Sequence, residues 1–146
     1  MNKLPPIEKI YEAYSAIADG RVTFQDSDAA AVLSSDGTKQ YTVAWRDSLY
    51  TSNDSATYWA GYPGYPVLAV WMLQGILPLN REIAAGFADI NWNEANRKYK
   101  RNYAKAADAV MEEKGLDKAA ARKEAERVYE ALKQFEYTVG RGKGKP

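Results

Sequence analysis

The sequence predicts an α+β domain made of an N-terminal helix, a small antiparallel β-meander, a buried helix and a C-terminal helical hairpin. Three observations carry that prediction. Apolar residues recur at helical spacing from Ile7 to Ile17, switch to a period of two between Arg21 and Ser52, and return to helical spacing beyond Pro66. Turn-forming residues, Asp19-Gly20 and Ser35-Asp36-Gly37 among them, fall where the pattern changes. The chain has 146 residues, 46% hydrophobic and 27% charged, enough to bury one core.

Each element follows from its residues. Pro5 and Pro6 suit a first helical turn, Ile7, Ile10, Tyr11, Tyr14 and Ile17 share a face, and Asp19-Gly20 stops the helix. Val22 and Phe24, then Ala31 and Leu33, then Tyr41, Val43 and Trp45, then Leu49 mark three or four short strands. Asp36-Gly37 forms a hairpin turn, because glycine accepts the positive φ that primed turns need. Thr51 to Pro66 is a loop. The helix from about Pro66 is apolar nearly all round, so it must be sandwiched, here between the sheet and the C-terminal hairpin. A short helix follows Asn80, and Asn91 with Glu94 caps a long helix to about Lys114, which Gly115 breaks. A last helix runs from Asp117 to roughly Glu136. Tyr99, Tyr103, Ala106, Val110 and Met111 form the inward stripe of the long helix, and Ala120, Val128, Leu132 and Phe135 that of the last. The domain then spans residues 1–137, its helical part about 80–136, and residues 138–146 form a flexible basic tail.

Composition narrows the chemistry. The chain has no Cys and no His, which removes disulfides, thiolate or imidazole metal ligands, cysteine nucleophiles and Ser-His-Asp triads. No cofactor is expected. A formal charge of +1 gives no global attraction to nucleic acid or membranes. Charge is uneven, however: residues 1–60 hold five basic and eight acidic side chains, whereas residues 137–146 hold three basic and none acidic. No apolar run resembling a signal peptide follows Met1, and Pro66 to Leu79 is too short to span a bilayer. The expectation is a cytoplasmic protein without a membrane partner.

Val32-Leu33-Ser34-Ser35-Asp36-Gly37, Tyr41-Thr42-Val43, Tyr50-Thr51-Ser52-Asn53-Asp54 and Gly61-Tyr62-Pro63-Gly64-Tyr65-Pro66-Val67-Leu68-Ala69-Val70 together resemble the SWIM zinc-finger family. The likeness covers about residues 7–76. It implies a β-hairpin and a following helix, bridged in the family by zinc on a C-x-C…C-x-H pattern, and association with DNA-handling proteins or protein–protein contacts. The four ligand positions fall at Tyr50, Ser52, Gly64 and Pro66, none of which can ligate zinc as the family does. This is a degenerate version, with Tyr50, Tyr58, Trp59, Tyr62 and Tyr65 packing in place of the metal. It should fold without zinc, so a chelator leaves the melting temperature unchanged; a drop of several degrees would show a metal bound by the native state.

Two constellations are candidate binding sites. Arg97 to Lys105 carries five basic residues in nine and no acid, and on one helix Arg97, Lys98, Arg101 and Lys105 share a face opposite Tyr99 and Tyr103. With Arg141 and Lys143 of the tail, they are the candidate phosphate contacts for nucleic acid. Tyr58, Trp59, Tyr62 and Tyr65 lie within eight residues, and can stack bases, anchor a protein partner or close a core over the hairpin. Asp26, Asp28, Asp36, Asp47 and Asp54 are the carboxylates a hydrolase would draw on, but each sits near a turn, where aspartate has its own backbone role. The leading expectation is a non-enzymatic nucleic-acid-associated protein acting through a basic helix. The alternative is a protein-interaction module, a homodimer included, using the aromatic loop, and a carboxylate hydrolase comes third.

Overall fold

A computed structural model describes residues 3–146. Its first helix, α1 (Lys9–Ala18), ends where Asp19-Gly20 interrupts the apolar pattern, with Gly20 left-handed at φ 66°. Four strands follow as a meander: β1 (Val22–Phe24), β2 (Ala29–Leu33), β3 (Gln40–Arg46) and β4 (Leu49–Ser52). Gly37, at φ 75°, occupies the expected β2–β3 turn.

Residues 138–146, expected as a tail outside the domain, instead open with a fifth strand, β5 (Thr138–Arg141), which runs parallel to β4 at the sheet edge. Thr138 N donates to Ser48 O (3.2 Å) and Gly142 N to Ser52 O (2.9 Å), so both ends of the pairing are fixed. The stretch from Tyr137 through Val139 has strand-forming residues, and the charges around it do not prevent pairing.

The register corrects the strand phase. Ala30 pairs with Val43 and Val43 with Ser52, which places Ala30, Val32, Val43 and Tyr50 on the core face. Ala31, Leu33 and Leu49, expected inside, lie on the other face, and Leu33 and Leu49 are 39% and 43% exposed. Three consecutive alanines at 29–31 give alternation no phase to follow, and a one-residue slip turns every side chain over.

Helix α2 (Tyr65–Leu73) is buried from Pro66 to Met72, as its all-round apolar surface requires. One side packs on β1, β3 and β4; the other is covered chiefly by α1, the C-terminal hairpin reaching α2 through Phe135, whose ring meets Trp71. Four further helices complete the chain: α3 (Arg81–Ala85), α4 (Trp92–Lys98), α5 (Tyr103–Lys114) and α6 (Lys118–Gln134). Each starts at an Asx cap, with Asn80, Asn91, Asn102 and Asp117 side chains accepting from the backbone N–H three residues on. No helix of the described residues is long and apolar enough to cross a membrane.

The long helix expected from Asn91 to Lys114 is two helices. The chain turns at Tyr99–Asn102, where Lys100 and Arg101 are both left-handed (φ 52° and 64°), and Asn102 caps a new start. Lys105 therefore sits on a different helix from Arg97, and the single basic face does not exist. The inward residues of α5 are Ala106, Ala107, Val110 and Met111, and those of α6 are Ala121, Ala125, Val128 and Leu132, close to the expected stripes.

Candidate functional site

The corner between α4 and α5 borders a cleft of about 640 Å³. One wall is the aromatic loop before α2, the opposite wall is the α4–α5 corner, and the floor is α1. The β2–β3 turn forms the end.

The aromatic loop is held by buried polar bonds. Ser52 Oγ donates to Asp54 Oδ1, Thr57 N donates to Asp54 Oδ2 (3.1 Å), and Gly64 N donates to Thr57 Oγ1 (3.0 Å). The end of β4 is thus tied to the start of α2 through Asp54, which is 4% exposed. Between them residues Ala56–Ala60 form one π-helical turn, closed by left-handed Gly61 (φ 78°). The staple expected to be aromatic is therefore largely a carboxylate network. Trp59 is 61% exposed and takes no part in a core; Tyr62 and Tyr65 are half-buried and line the cleft.

Helix α4 is anchored from two directions. Trp92 Nε1 donates to Ser15 Oγ (2.7 Å), which itself donates to Phe87 O (2.6 Å), a buried polar knot fixing α4 to α1. Trp92 N donates to Ser35 Oγ (3.0 Å) and Asn93 Nδ2 to Asp36 Oδ2 (3.1 Å), fixing it to the β2–β3 turn. Arg101 N donates to Asn96 O (2.7 Å) at the corner itself. Two adjacent left-handed residues without glycine cost on the order of 1 kcal/mol or more each and persist only where the surroundings hold them. Their effect is to put Arg101 and Tyr103 into the same cleft as Arg97.

The floor carries an ion pair. Lys9 Nζ lies 3.2 Å from Glu12 Oε2 and 4.2 Å from the centre of the Tyr103 ring, and the two residues are only 9% and 5% exposed. Asn96 Nδ2 reaches the same Glu12 oxygen at 3.5 Å. Burial pushes the Glu12 carboxyl up, against the opposing pull of Lys9 and Asn96. Burial alone would lower Lys9, but Glu12 and Tyr103 outweigh it and the ammonium is raised. Burial also raises Tyr41, Tyr62 and Tyr65, whose hydroxyls stay protonated at neutral pH and able to donate. Bonds from Thr38, Asn93 and Ser34 hold Asp36 well below the usual carboxylate range.

The expected site residues divide. Arg97, Arg101, Trp59, Tyr62 and Tyr65 meet in the cleft. Lys98 lines a separate recess of about 450 Å³ between α4 and α5. Lys105 and Lys143 are exposed outside the cleft. Arg141, carried by β5, donates to Tyr58 O (2.9 Å) and lies over the Tyr58 and Trp59 rings at 4.8 and 5.5 Å. Of the turn aspartates, Asp26, Asp28 and Asp47 are exposed, while Asp36 and Asp54 are engaged in the bonds above. Lys9, Glu12 and Asn96 are not among the candidates the sequence offers, although a charged i, i+3 pair inside an otherwise apolar helix is a signal for the first two; Tyr103, expected in the inward stripe of a long helix, is half-buried and lines the cleft instead. Among the described residues there is no group of three or more His, Cys, Asp or Glu placed to hold a metal ion.

Residues 2–138 match the family described as Uncharacterised conserved protein UCP014422, and the chain belongs to that family. No curated protein and no solved structure matches it.

Proposed function

We propose that this member of the family is a cytoplasmic, non-enzymatic protein that binds single-stranded nucleic acid in the cleft. One observation carries the reading: guanidinium groups and aromatic rings, far apart in sequence, face each other across one concavity. Arg97, Arg101 and Lys39 are the phosphate contacts, and Trp59, Tyr62 and Tyr65 receive bases. A concave site asks for unstacked bases, which a duplex does not offer and a single strand does. Arg141 beside Trp59 extends the positive track, while Lys98, Lys105 and Lys143 add longer-range attraction. Two of the three cleft carboxylates, Asp36 and Asp54, are committed to structural bonds, which supports binding over carboxylate hydrolysis. The SWIM-like features of residues 7–76 agree with a nucleic-acid setting.

Fluorescence anisotropy on a short single-stranded oligonucleotide across a salt series tests this. Removing Arg97 and Arg101 together by alanine should reduce the slope of log affinity against log salt by about 1.4, from two lost phosphate contacts on a single strand. Lys105→Ala, outside the cleft, should change it much less. Absence of binding at low salt with tens of micromolar protein, or a slope unaltered by the double variant, would overturn the proposal. A second reading rests on the exposure of Trp59 with Arg141 above it, since Trp and Arg are the usual anchors of protein interfaces. A protein partner, a second copy included, would bind through Trp59 with little salt dependence.

A further inference from the structure

We infer that the floor of the cleft reads the base of the bound strand and selects guanine. The inference rests on the single-strand reading above and concerns what that site prefers.

A buried ion pair is weak evidence for stability, because desolvating both charges offsets most of their attraction. Apolar side chains on α1 would serve the fold as well, and most of this helix is apolar. The Lys9–Glu12 pair nonetheless lies at the base of an open concavity, not inside the core. Asp36 and Asp54 are consumed by several bonds each within their own turns. Among the described residues Glu12 receives Lys9 and Asn96, both on Oε2, so neither occupies Oε1. Lys9 directs one N–H at Glu12 and sits over the Tyr103 ring, which leaves donor capacity on its ammonium.

The floor therefore offers a ligand a carboxylate acceptor immediately beside an ammonium donor. Guanine presents the complement on one edge: two adjacent N–H donors, N1 and the exocyclic N2 amine, next to the O6 acceptor. Oε1, with both lone pairs free, takes the two donors together while the remaining N–H groups of the ammonium take O6. Adenine and cytosine place a ring-nitrogen lone pair against the carboxylate, and thymine or uracil offers a single N–H between two acceptors. Each leaves a buried charge incompletely paired, which is how a polar site rejects the wrong ligand. Tyr62 and Tyr103 line the same cleft, and the Tyr103 ring lies against the Lys9 ammonium, so aromatic surface adjoins the polar floor. The volume of about 640 Å³ lies in the range of small-ligand pockets and accommodates a nucleotide.

The test uses the full chain and seven-residue oligothymidylates in which the central base alone is changed to guanine, adenine, cytosine or hypoxanthine. Guanine should bind roughly five- to a hundredfold tighter than adenine or cytosine, the range for one good bidentate base contact. Hypoxanthine keeps O6 and N1–H but lacks the amine, and should lose much of that advantage. Glu12→Gln, which exchanges one acceptor for a donor at constant size, should bring all four within about threefold while retaining salt-dependent binding. The hypoxanthine comparison needs no variant and so stands even if Glu12→Gln does not fold. If the oligonucleotides bind equally well whatever the central base, the guanine inference fails and the cleft reading survives. If none binds, the cleft reading itself has failed.

Discussion

Trp71→Ala should cost roughly 3–5 kcal/mol of stability, the largest loss expected from any single truncation in this protein. The indole is fully buried in α2 and meets three rings: Tyr50 of β4 at 5.3 Å, Phe135 at 5.1 Å and Tyr137 at 4.9 Å between centroids. It joins the sheet, the buried helix and the segment that leads into β5, so the cavity cannot close by moving one neighbour. Edge-to-face pairs add to burial by roughly 0.5–1.5 kcal/mol each. Trp71→Phe keeps much of the volume and should cost distinctly less. Chemical denaturation reads both. A Trp71→Ala protein that unfolds at nearly the parent's denaturant concentration would mean that α2 is peripheral, contrary to its place between α1 and the sheet.

Gly64→Ala should follow at roughly 2–4 kcal/mol, for a different reason. The backbone of Gly64 is ordinary extended chain that any residue adopts (φ −75°, ψ 174°), so strain is not the issue. Space is: a Cβ there would overlap Asp54 Oδ2, lie 2.8 Å from its Cγ and press on Ala56. Asp54 must then move away from Thr57 N and Ser52 Oγ, leaving buried polar groups unpaired on top of the steric cost. For a chain of this size each kcal/mol shifts the melting temperature by about 2–4 °C. A melting point within about one degree of the parent would show that the Asp54 network yields without penalty. Oligonucleotide affinity should fall as well, because the loop that holds Trp59 and Tyr62 is the one this network fixes.

Much of the architecture is written in short-range signals. The all-round apolar run 67–73, the cap at Asn91, the start of the last helix at Asp117 and the stop at Gly115 each state their structure locally, and the structure has them where expected. What escaped depends on distant partners or on ambiguous residues. The phase of β2 is set by pairing with Val43 and Tyr41, since its own alanines do not distinguish two faces. The α4–α5 corner uses Lys100 and Arg101, both good helix formers, in left-handed conformations; Asn102 was the one local hint, as a cap for Lys105 N. Half of the cleft was visible as a basic cluster and an aromatic loop. That they face each other over Lys9 and Glu12 follows from α4 being pinned to Ser15 and Asp36, contacts 77 and 57 residues apart in sequence.

The parallel pairing of β5 with β4 also bears on how the chain reaches its native state. Five helices and the π-helical turn lie between these two strands, so the pairing closes a very long loop and gains nothing until most of the intervening chain is placed. It belongs to the late stage of folding. Until then the outer edge of β4, with Leu49 and Tyr50 on it, presents unpaired N–H and C=O groups to any other strand. During synthesis residues 138–141 emerge after the other four strands and all the helices, and that edge stays open for the whole interval. Refolding yield should therefore depend on protein concentration more steeply than native solubility does. The strand that carries Arg141 to the aromatic loop is thus also the one that closes the β4 edge.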